Sequence, residues 1–319
     1  MNSLSFLDKK KILITGASGL IGFNLCRELS RNKSARIFVN YRNQLEAPFR
    51  KSLTLDRLTH LIGDVNDLSF LSSLPKFDSI IHLSGYGQPK KFLENPNSTL
   101  SMNSFVTDFL LNKKLEVGGS FVFMSSSEVY ANGTWPSEES KILVDLDNVR
   151  NPYILGKLAG ESIVNIARAN GVNAKSIRIC LAYGPGFKRN DNRVINELIM
   201  KGCDKSEINL IDDGSAIRKY IYIEDAVQMI IKICDRGSKG LYNVGGRDEL
   251  SILDLAREIS LQTNAKLSAS EKKNALPGSP AFAGVVISRY ESEFGSVNLT
   301  SMPKGVKACI DWYKHYDDK

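Results

Sequence analysis

Only three of the 319 residues are histidine, and His60, His82 and His315 stand far apart. The five cysteines, Cys26, Cys180, Cys203, Cys234 and Cys309, are just as scattered, with no C-x-x-C pair and no Cys/His ligand spacing. An odd, unpaired set argues against a disulfide framework and a structural metal, and fits free thiols in a reducing cytoplasm. No apolar run is long enough to cross a bilayer and no secretion-signal core follows Met1, so a cytoplasmic protein without membrane contact is expected. Basic residues form no dense tract. Lys9–Lys11 and Lys272–Lys273 are short runs of the kind found on solvated faces. The net charge of +7 therefore suits an anionic small molecule such as a diphosphate rather than nucleic acid. There is no repeat of fixed period. What remains, 42% hydrophobic and 24% charged residues, is the composition of a globular protein. The length allows one large α/β domain with an appended lobe, or two domains.

The most informative stretch is KILITGASGLIG, Lys11 to Gly22. Ile12, Leu13 and Ile14 form an apolar run suited to a strand buried on both faces. Gly16, Gly19 and Gly22 make a turn, and FNLCRELSR continues with apolar residues at helical spacing. Strand, glycine turn and helix in that order fit a dinucleotide. The turn brings backbone close to a pyrophosphate, and the free N–H groups of the helix start face its charge. Gly16, Gly19, Leu20, Ile21 and Gly22 are the expected contacts.

Arg36–Val39 reads as the second strand. An acid near its end usually meets the 2′-hydroxyl of NAD, whereas arginine suits the 2′-phosphate of NADP. No acid occurs here before Glu46; Asn40 and Arg42 are present instead. NAD and NADP both remain open, with Arg42 leaning toward NADP. Leu58–Ile62 reads as a third strand followed by Asp64 and Val65, and Asp78–Leu83 as a fourth leading into Ser84. Asp64, Val65, Leu83 and Ser84 then lie at the C-terminal sheet edge, where such ligands bind. His82, inside the fourth strand, reads as a core histidine. Ser98–Asn112 has a helical pattern, and Phe121–Met124 is a further buried strand. These units imply a doubly wound parallel sheet. Beyond about residue 180 the pattern changes, with helices expected at Asn192–Met200, Ile223–Cys234, Ser251–Thr263 and Val306–Lys314, and a loop at Leu276–Pro280.

The strand at Phe121–Met124 runs into Ser125-Ser126-Ser127-Glu128-Val129-Tyr130, and Tyr153 stands four residues before Lys157 in a helical stretch. Residues four apart share a helix face. An ammonium beside a phenol lowers the phenol's pKa, so tyrosine serves as a base, and a nearby serine hydroxyl can hold the same substrate oxygen. Such a set takes a proton from a carbinol while hydride leaves to a nicotinamide.

TGASGLIG, GDV, IIHLSG, SSSEVY, PYILGK, RICLAYGPG, GSAIRKYIYIEDA, LYNVGG and GVKACIDWY follow one another along nearly the whole chain. This ordered set resembles the extended short-chain dehydrogenase/reductases, in the nucleotide-sugar epimerase/dehydratase group. The resemblance implies a Rossmann-type domain over residues 1–180, with segments returning from 214–245, and a small α/β substrate lobe mainly over 181–319. It implies Tyr153 as base, Lys157 supporting it and binding the cofactor ribose, and Ser126 as the hydroxyl partner. It also implies Arg193 and Arg218 on the diphosphate of a nucleoside-diphosphate sugar, and Ser127 at the substrate. A homodimer built on the Ser98–Asn112 and Tyr153–Ala169 helices follows as well, because Leu158, Ile163, Val164 and Ile166 exceed what one packed face needs.

Glu128 is similar in position to a glutamate of UDP-glucuronate decarboxylases and GDP-mannose 4,6-dehydratases, and is counted among the catalytic residues. Two departures stand out. Leu181 replaces a usual Asn before YGPG, and Ser127-Glu128 replaces the Asp-Glu of dTDP-glucose dehydratases. After C4 oxidation, epimerisation, dehydration and decarboxylation of a UDP-hexuronate all stay open, as does NADPH-dependent reduction of a 4-keto sugar. A non-catalytic dinucleotide-binding regulator is the reading from another class.

Overall fold

The computed structural model describes residues 7–32, 34–46, 49–50, 58–131, 147–272 and 281–316. The expected Leu276–Pro280 loop lies outside them.

In the first half, β1 (Lys11–Thr15), β2 (Arg36–Tyr41), β3 (Leu58–Ile62), β4 (Phe77–His82), β5 (Leu115–Ser126) and β6 (Asn173–Ile179) are the strands. The helices there are α1 (Leu20–Leu29), α2 (Leu68–Ser73), α3 (Pro89–Glu94), α4 (Pro96–Asn103), α5 (Phe105–Phe109) and α6 (Asn151–Ala169). Beyond them come the strands β7 (Ala182–Tyr183), β8 (Glu207–Asn209), β9 (Ile217–Lys219), β10 (Ile221–Tyr222), β11 (Leu241–Val244), β12 (Glu249–Ser251), β13 (Lys266–Ser268) and β14 (Phe282–Ala283). The later helices are α7 (Val194–Asp204), α8 (Ile223–Arg236), α9 (Ile252–Thr263), α10 (Ser288–Phe294) and α11 (Met302–Lys314).

Seven parallel strands form the central sheet in the order β11-β6-β5-β4-β1-β2-β3. The order reverses between β1 and β4, where Ile14 lies level with Val39 on one side and Ile81 on the other. A crevice opens at such a reversal, beyond the carboxyl ends of the strands. Strand alternation feeds two cores. Ile12, Ile14 and Ile81 enter the larger, and Leu13, Ile80, Phe121 and Phe123 the smaller, on the opposite face. This is the expected Rossmann-type α/β fold. The remaining strands make small sheets: β12-β9-β14, β10-β7 and β13-β8.

The stretch Ser98–Asn112 is not one helix. Helix α4 stops at Asn103, Ser104 takes φ −106° and ψ −77°, α5 follows, and Leu110–Lys114 is a π-turn. Side chains compete with the backbone here. The Thr99 hydroxyl donates to the Asn95 carbonyl (2.7 Å), the Asn103 amide to Thr99 (2.7 Å), and the Ser104 hydroxyl to Leu100 (2.8 Å). Such bonds to the carbonyl four residues back bend and interrupt helices. The apolar residues of α6 divide: Val164 is fully buried, Leu158 and Ile163 pack partly buried against the cores, and Ile166 is 62% exposed.

Candidate active site

The glycine turn sits at the crevice. Gly16 has φ +69°, and a Cβ there would stand 2.7 Å from the Leu83 carbonyl carbon. Only glycine fits that close crossing of β1's exit over β4's exit. Gly19 caps α1, whose first residues are Leu20, Ile21 and Gly22. Beneath the turn, the Thr15 hydroxyl oxygen accepts from the Leu83 and Ser84 N–H groups (3.1 and 3.2 Å), so its proton goes to His82 Nδ1 (2.7 Å). His82 Nε2 then donates to the Met102 carbonyl (3.0 Å). Burial pushes this imidazole down to about 4, so it is neutral. It is the core histidine the sequence suggested, and it ties both strand ends together.

Gly16, Asn40, Arg42, Asp64, Val65 and Ser84 all line one cleft. The Asn40 amide donates both hydrogens, to the Leu61 carbonyl (3.1 Å) and the Gly63 carbonyl (3.0 Å). What the side chain has left is an acceptor oxygen, the same function that an acid supplies at this place to a ribose hydroxyl. Arg42 donates to the Tyr86 hydroxyl (3.0 Å) and lies 4.0 Å from Asp64, half-exposed at the rim. The cradle at Gly16 and the Asn40 acceptor fit a dinucleotide.

The candidate catalytic set lies beside this cleft, where β5 ends against the start of α6. Pro152 opens that helix with a backbone already shaped for it. Tyr153 is buried, and the Ser126 hydroxyl hydrogen-bonds its phenol oxygen. Ser126 Oγ in turn accepts the Glu128 N–H (3.2 Å), which fixes its direction. Lys157 Nζ donates to the Met124 carbonyl (2.8 Å) and sits 5.6 Å from the centre of the Tyr153 ring. The structure thus brings Ser126, Tyr153, Lys157 and Glu128 together.

The expected lowering of the phenol by Lys157 is not found. Burial pushes Tyr153 up to about 12, opposed first by the Ser126 hydrogen bond and then by the charges of Arg150 and Arg193. Burial likewise pushes Lys157 down to about 7, opposed by the charge of Glu161. Desolvation of both groups outweighs their mutual influence, because the ammonium is aimed at a backbone carbonyl. In this state the proton stays on the phenol.

Several site residues escaped sequence reasoning. Phe92, on α3, stacks on the Tyr153 ring (4.6 Å, 14°). Arg150, which caps α6, donates from Nε to Glu128 (2.8 Å) and lies over Phe92 at 5.1 Å. Asn103 is fully buried, its Oδ1 lacks a partner, and that atom and Lys157 Nζ both border the space at Gly85. Glu161 and Arg178 form a buried ion pair below the site. None belongs to a local motif, and only their neighbours in space mark them.

The residues expected at the substrate are placed as follows. Ser127 hydrogen-bonds the Cys180 thiol, which burial pushes up to about 12. Arg193 is chelated by Asp191, from Nε at 3.0 and 3.1 Å and from Nη2 at 2.5 Å. Arg218 lies in β9, donates to the Ile217 carbonyl (2.8 Å) and feels the charges of Glu128 and Asp212. Leu181 holds a positive φ of 34°, a backbone that asparagine adopts more readily than leucine. Among the described residues no cluster of His, Cys, Asp or Glu could hold a metal ion, and no helix is long and apolar enough to cross a membrane.

A family model described as the NAD dependent epimerase/dehydratase family matches residues 12–245. A dTDP-4-dehydro-6-deoxy-D-allose reductase of Streptomyces bikiniensis is 27% identical, over 96% of this chain and 97% of the relative. UDP-glucuronic acid decarboxylase 6 of Arabidopsis thaliana is 27% identical, over 81% of this chain and 76% of its own length. Among solved structures, UDP-glucuronic acid 4-epimerase of Bacillus cereus, in complex with UDP-glucuronic acid and NAD, superposes with a TM-score of 0.81. It is 23% identical and covers 96% of this chain and 99% of that one, a likeness of fold. With a match running from the glycine turn to the last strand of the central sheet, the chain belongs to the NAD dependent epimerase/dehydratase family.

Proposed function

We propose that this protein oxidises C4 of a nucleoside-diphosphate sugar and then lets the resulting ketone react further, as an epimerase or dehydratase. The observation that carries this reading is the hydrogen bond from Ser126 to the Tyr153 phenol, with Lys157 on the same helix face. A protein that only binds dinucleotide has no use for a directed hydroxyl on a buried phenol. A bound nicotinamide would supply the acceptor for the hydride from C4. Tyr153 must first give its own proton up to solvent, with a charged Lys157 stabilising the phenolate beside it; the phenolate then takes the hydroxyl proton while Ser126 holds the same oxygen. Gly16, Gly19, Leu20, Ile21, Gly22, Asn40, Asp64, Val65, Leu83 and Ser84 hold the cofactor, and Asn40's acceptor oxygen favours NAD. Ser127 and Arg218 are read as sugar and diphosphate contacts; Arg193 serves there once Asp191 releases it.

A second reading has its own support. Glu128 is held at the site by Arg150, and a carboxylate beside C5 suits decarboxylation of a UDP-hexuronate. Reduction of a 4-keto sugar is the third, supported by the reductase relative.

We read the assembly as a cytoplasmic homodimer joined through α4, α5 and α6, whose outer faces expose Leu100, Phe105 and Ile166. A monomer mass in light scattering would refute that.

The function is tested by mass spectrometry of purified protein incubated with UDP-, GDP-, CDP- and dTDP-sugars and either cofactor. A product altered at C4, C5 or C6 is expected from one series, abolished in Tyr153→Phe while cofactor still binds. Unchanged sugars and cofactor throughout would overturn the reading.

A further inference from the structure

We propose that Arg150 is the receptor for the carboxylate of a nucleoside-diphosphate hexuronate, making an acidic sugar the preferred substrate class. This rests on the function just proposed and deepens it.

Arg150 caps α6 three residues before Tyr153, and its charge acts on the phenol. Its one side-chain hydrogen bond among the described residues runs from Nε to Glu128 Oε2, at 2.8 Å. A guanidinium is a planar fork of five donors with two edges, each able to take a carboxylate. Glu128 occupies one edge through a single oxygen, and the edge formed by Nη1 and Nη2 is left for a ligand. Two features pre-organise that edge. The guanidinium lies over the Phe92 ring at 5.1 Å, and Phe92 is itself buried and stacked on Tyr153. The side chain is only 17% exposed, so little of its freedom remains to be lost on binding.

The position selects the anion. The base must reach the oxygen on C4. C5 is bonded to C4, so a substituent on C5 lies next to the phenol, while the diphosphate on C1 is across the sugar ring. C3 is bonded to C4 as well, but a hexuronate carries its anion on C5, and we seat that carboxylate against the cation one helical turn from the base, on the Glu128 side. Arg193, also within electrostatic reach of the phenol, has its Nε and Nη2 held by Asp191 and its Nη1 turned to the Ala182 carbonyl (3.4 Å), so it does not present an open edge as Arg150 does. The Glu128 contact shows that a carboxylate is accepted beside the site. A second carboxylate on the other edge leaves each anion with a charge-assisted partner. A sugar with a neutral CH2OH or CH3 on C5 leaves that edge to water.

Titration calorimetry with UDP-glucuronate against UDP-glucose, in the presence of NAD, tests this, repeated with the corresponding dTDP pair. The wild type is expected to bind the acidic sugar at least about tenfold more tightly than its neutral counterpart. Arg150→Gln should abolish the difference by weakening only the acidic ligand, and Arg150→Lys should restore part of it. Glu128→Gln should keep the preference. The proposal is overturned if the wild type shows no preference. It is equally overturned if Arg150→Gln weakens acidic and neutral sugars alike, which would place the arginine on the diphosphate. A loss of preference in Glu128→Gln matching that in Arg150→Gln would reduce Arg150 to a prop for the glutamate. If wild-type protein with NAD bound binds none of the four sugars, the proposal is overturned, and the product assay across all four nucleotide series decides whether the nucleotide-sugar function falls with it. Retained NAD affinity shows that each variant is folded.

Discussion

Glu161 is where one substitution should reach both the stability of the fold and the chemistry of the site. It lies on α6 one turn beyond Lys157 and is 5% exposed; its partner Arg178, on β6, is 2% exposed. Oε1 accepts from Arg178 Nε (2.7 Å) and the Ser125 hydroxyl (2.5 Å), and Oε2 accepts from Nη2 (2.5 Å). Arg178 Nη1 donates to the Tyr130 hydroxyl (2.8 Å), which donates to Asn243 on β11 (2.8 Å). Glu161→Ala takes its carboxylate away from a buried guanidinium and breaks three hydrogen bonds, from Arg178 Nε and Nη2 and from the Ser125 hydroxyl. Removing one partner of such a pair costs about 3–5 kcal/mol, and three broken hydrogen bonds at about 1–3 kcal/mol each set a similar lower bound. Glu161→Gln keeps an acceptor oxygen, so its cost should be about half as large. Urea unfolding followed by fluorescence and by circular dichroism reads both. A double change to Glu161→Leu with Arg178→Met, which removes both charges, should recover most of the loss. The same carboxylate opposes the desolvation of Lys157, so Glu161→Gln should also lower the pH at which Lys157 loses its proton. A loss below about 1 kcal/mol in Glu161→Ala would mean that water reaches Arg178, and the reasoning from a dry pair would fail.

Three further outcomes are expected. Lys157 titrates at about 7 in the folded protein, below its ordinary 10.5, so between those values the unfolded chain binds more protons; stability of the ligand-free protein should therefore rise with pH across that window, and Lys157→Met should flatten the rise in pH-dependent denaturation curves. Asn40→Ala removes the acceptor facing the cleft, and should weaken NAD binding about tenfold by calorimetry while affecting NADP less; an equal loss for both would place Asn40 in the fold alone. Leu181→Asn relieves a positive φ, and should raise stability by about 1 kcal/mol, or about 2 °C in Tm; a decrease would show that the leucine side chain's packing outweighs the strain.

What could be read in the chain is what its neighbours in sequence determine. The glycine turn is legible because β1, the turn and α1 are contiguous, and the steric demand at Gly16 falls on a single residue. Tyr153 and Lys157 are legible because helical spacing alone puts them on one face. Ser126 and Glu128 follow from standing at the end of a buried strand. The interruption at Ser104 was hidden because apolar periodicity continues through it, while the hydroxyl and amide bonds that break the helix depend on which carbonyl each side chain chooses. Phe92, Arg150 and Asn103 were hidden for a stronger reason. Each enters from a different segment, and none is marked by its own surroundings in sequence.

The electrostatics of the pair at the centre show the same boundary between local and tertiary information. Four-residue spacing correctly brings the ammonium near the phenol, but the sign of the net effect depends on what surrounds them. Met124 turns its carbonyl to Lys157, Phe123 lies 5.0 Å from that ammonium, and Phe92 covers the tyrosine ring. Each contact displaces water, and it is that loss of water that favours the neutral form of both groups, against the pull of the carbonyl and the ring face on the ammonium. The sequence motif thus brings phenol and ammonium together, and the packing of three aromatic and backbone groups around them decides where the proton rests. A ligand that brings charge into this dry space acts on a phenol and an amine already held away from their solution values. Arg150 and Glu128, at the edge of that space and still partly open to solvent, are the charged pair such a ligand can engage without first burying a charge of its own unpaired.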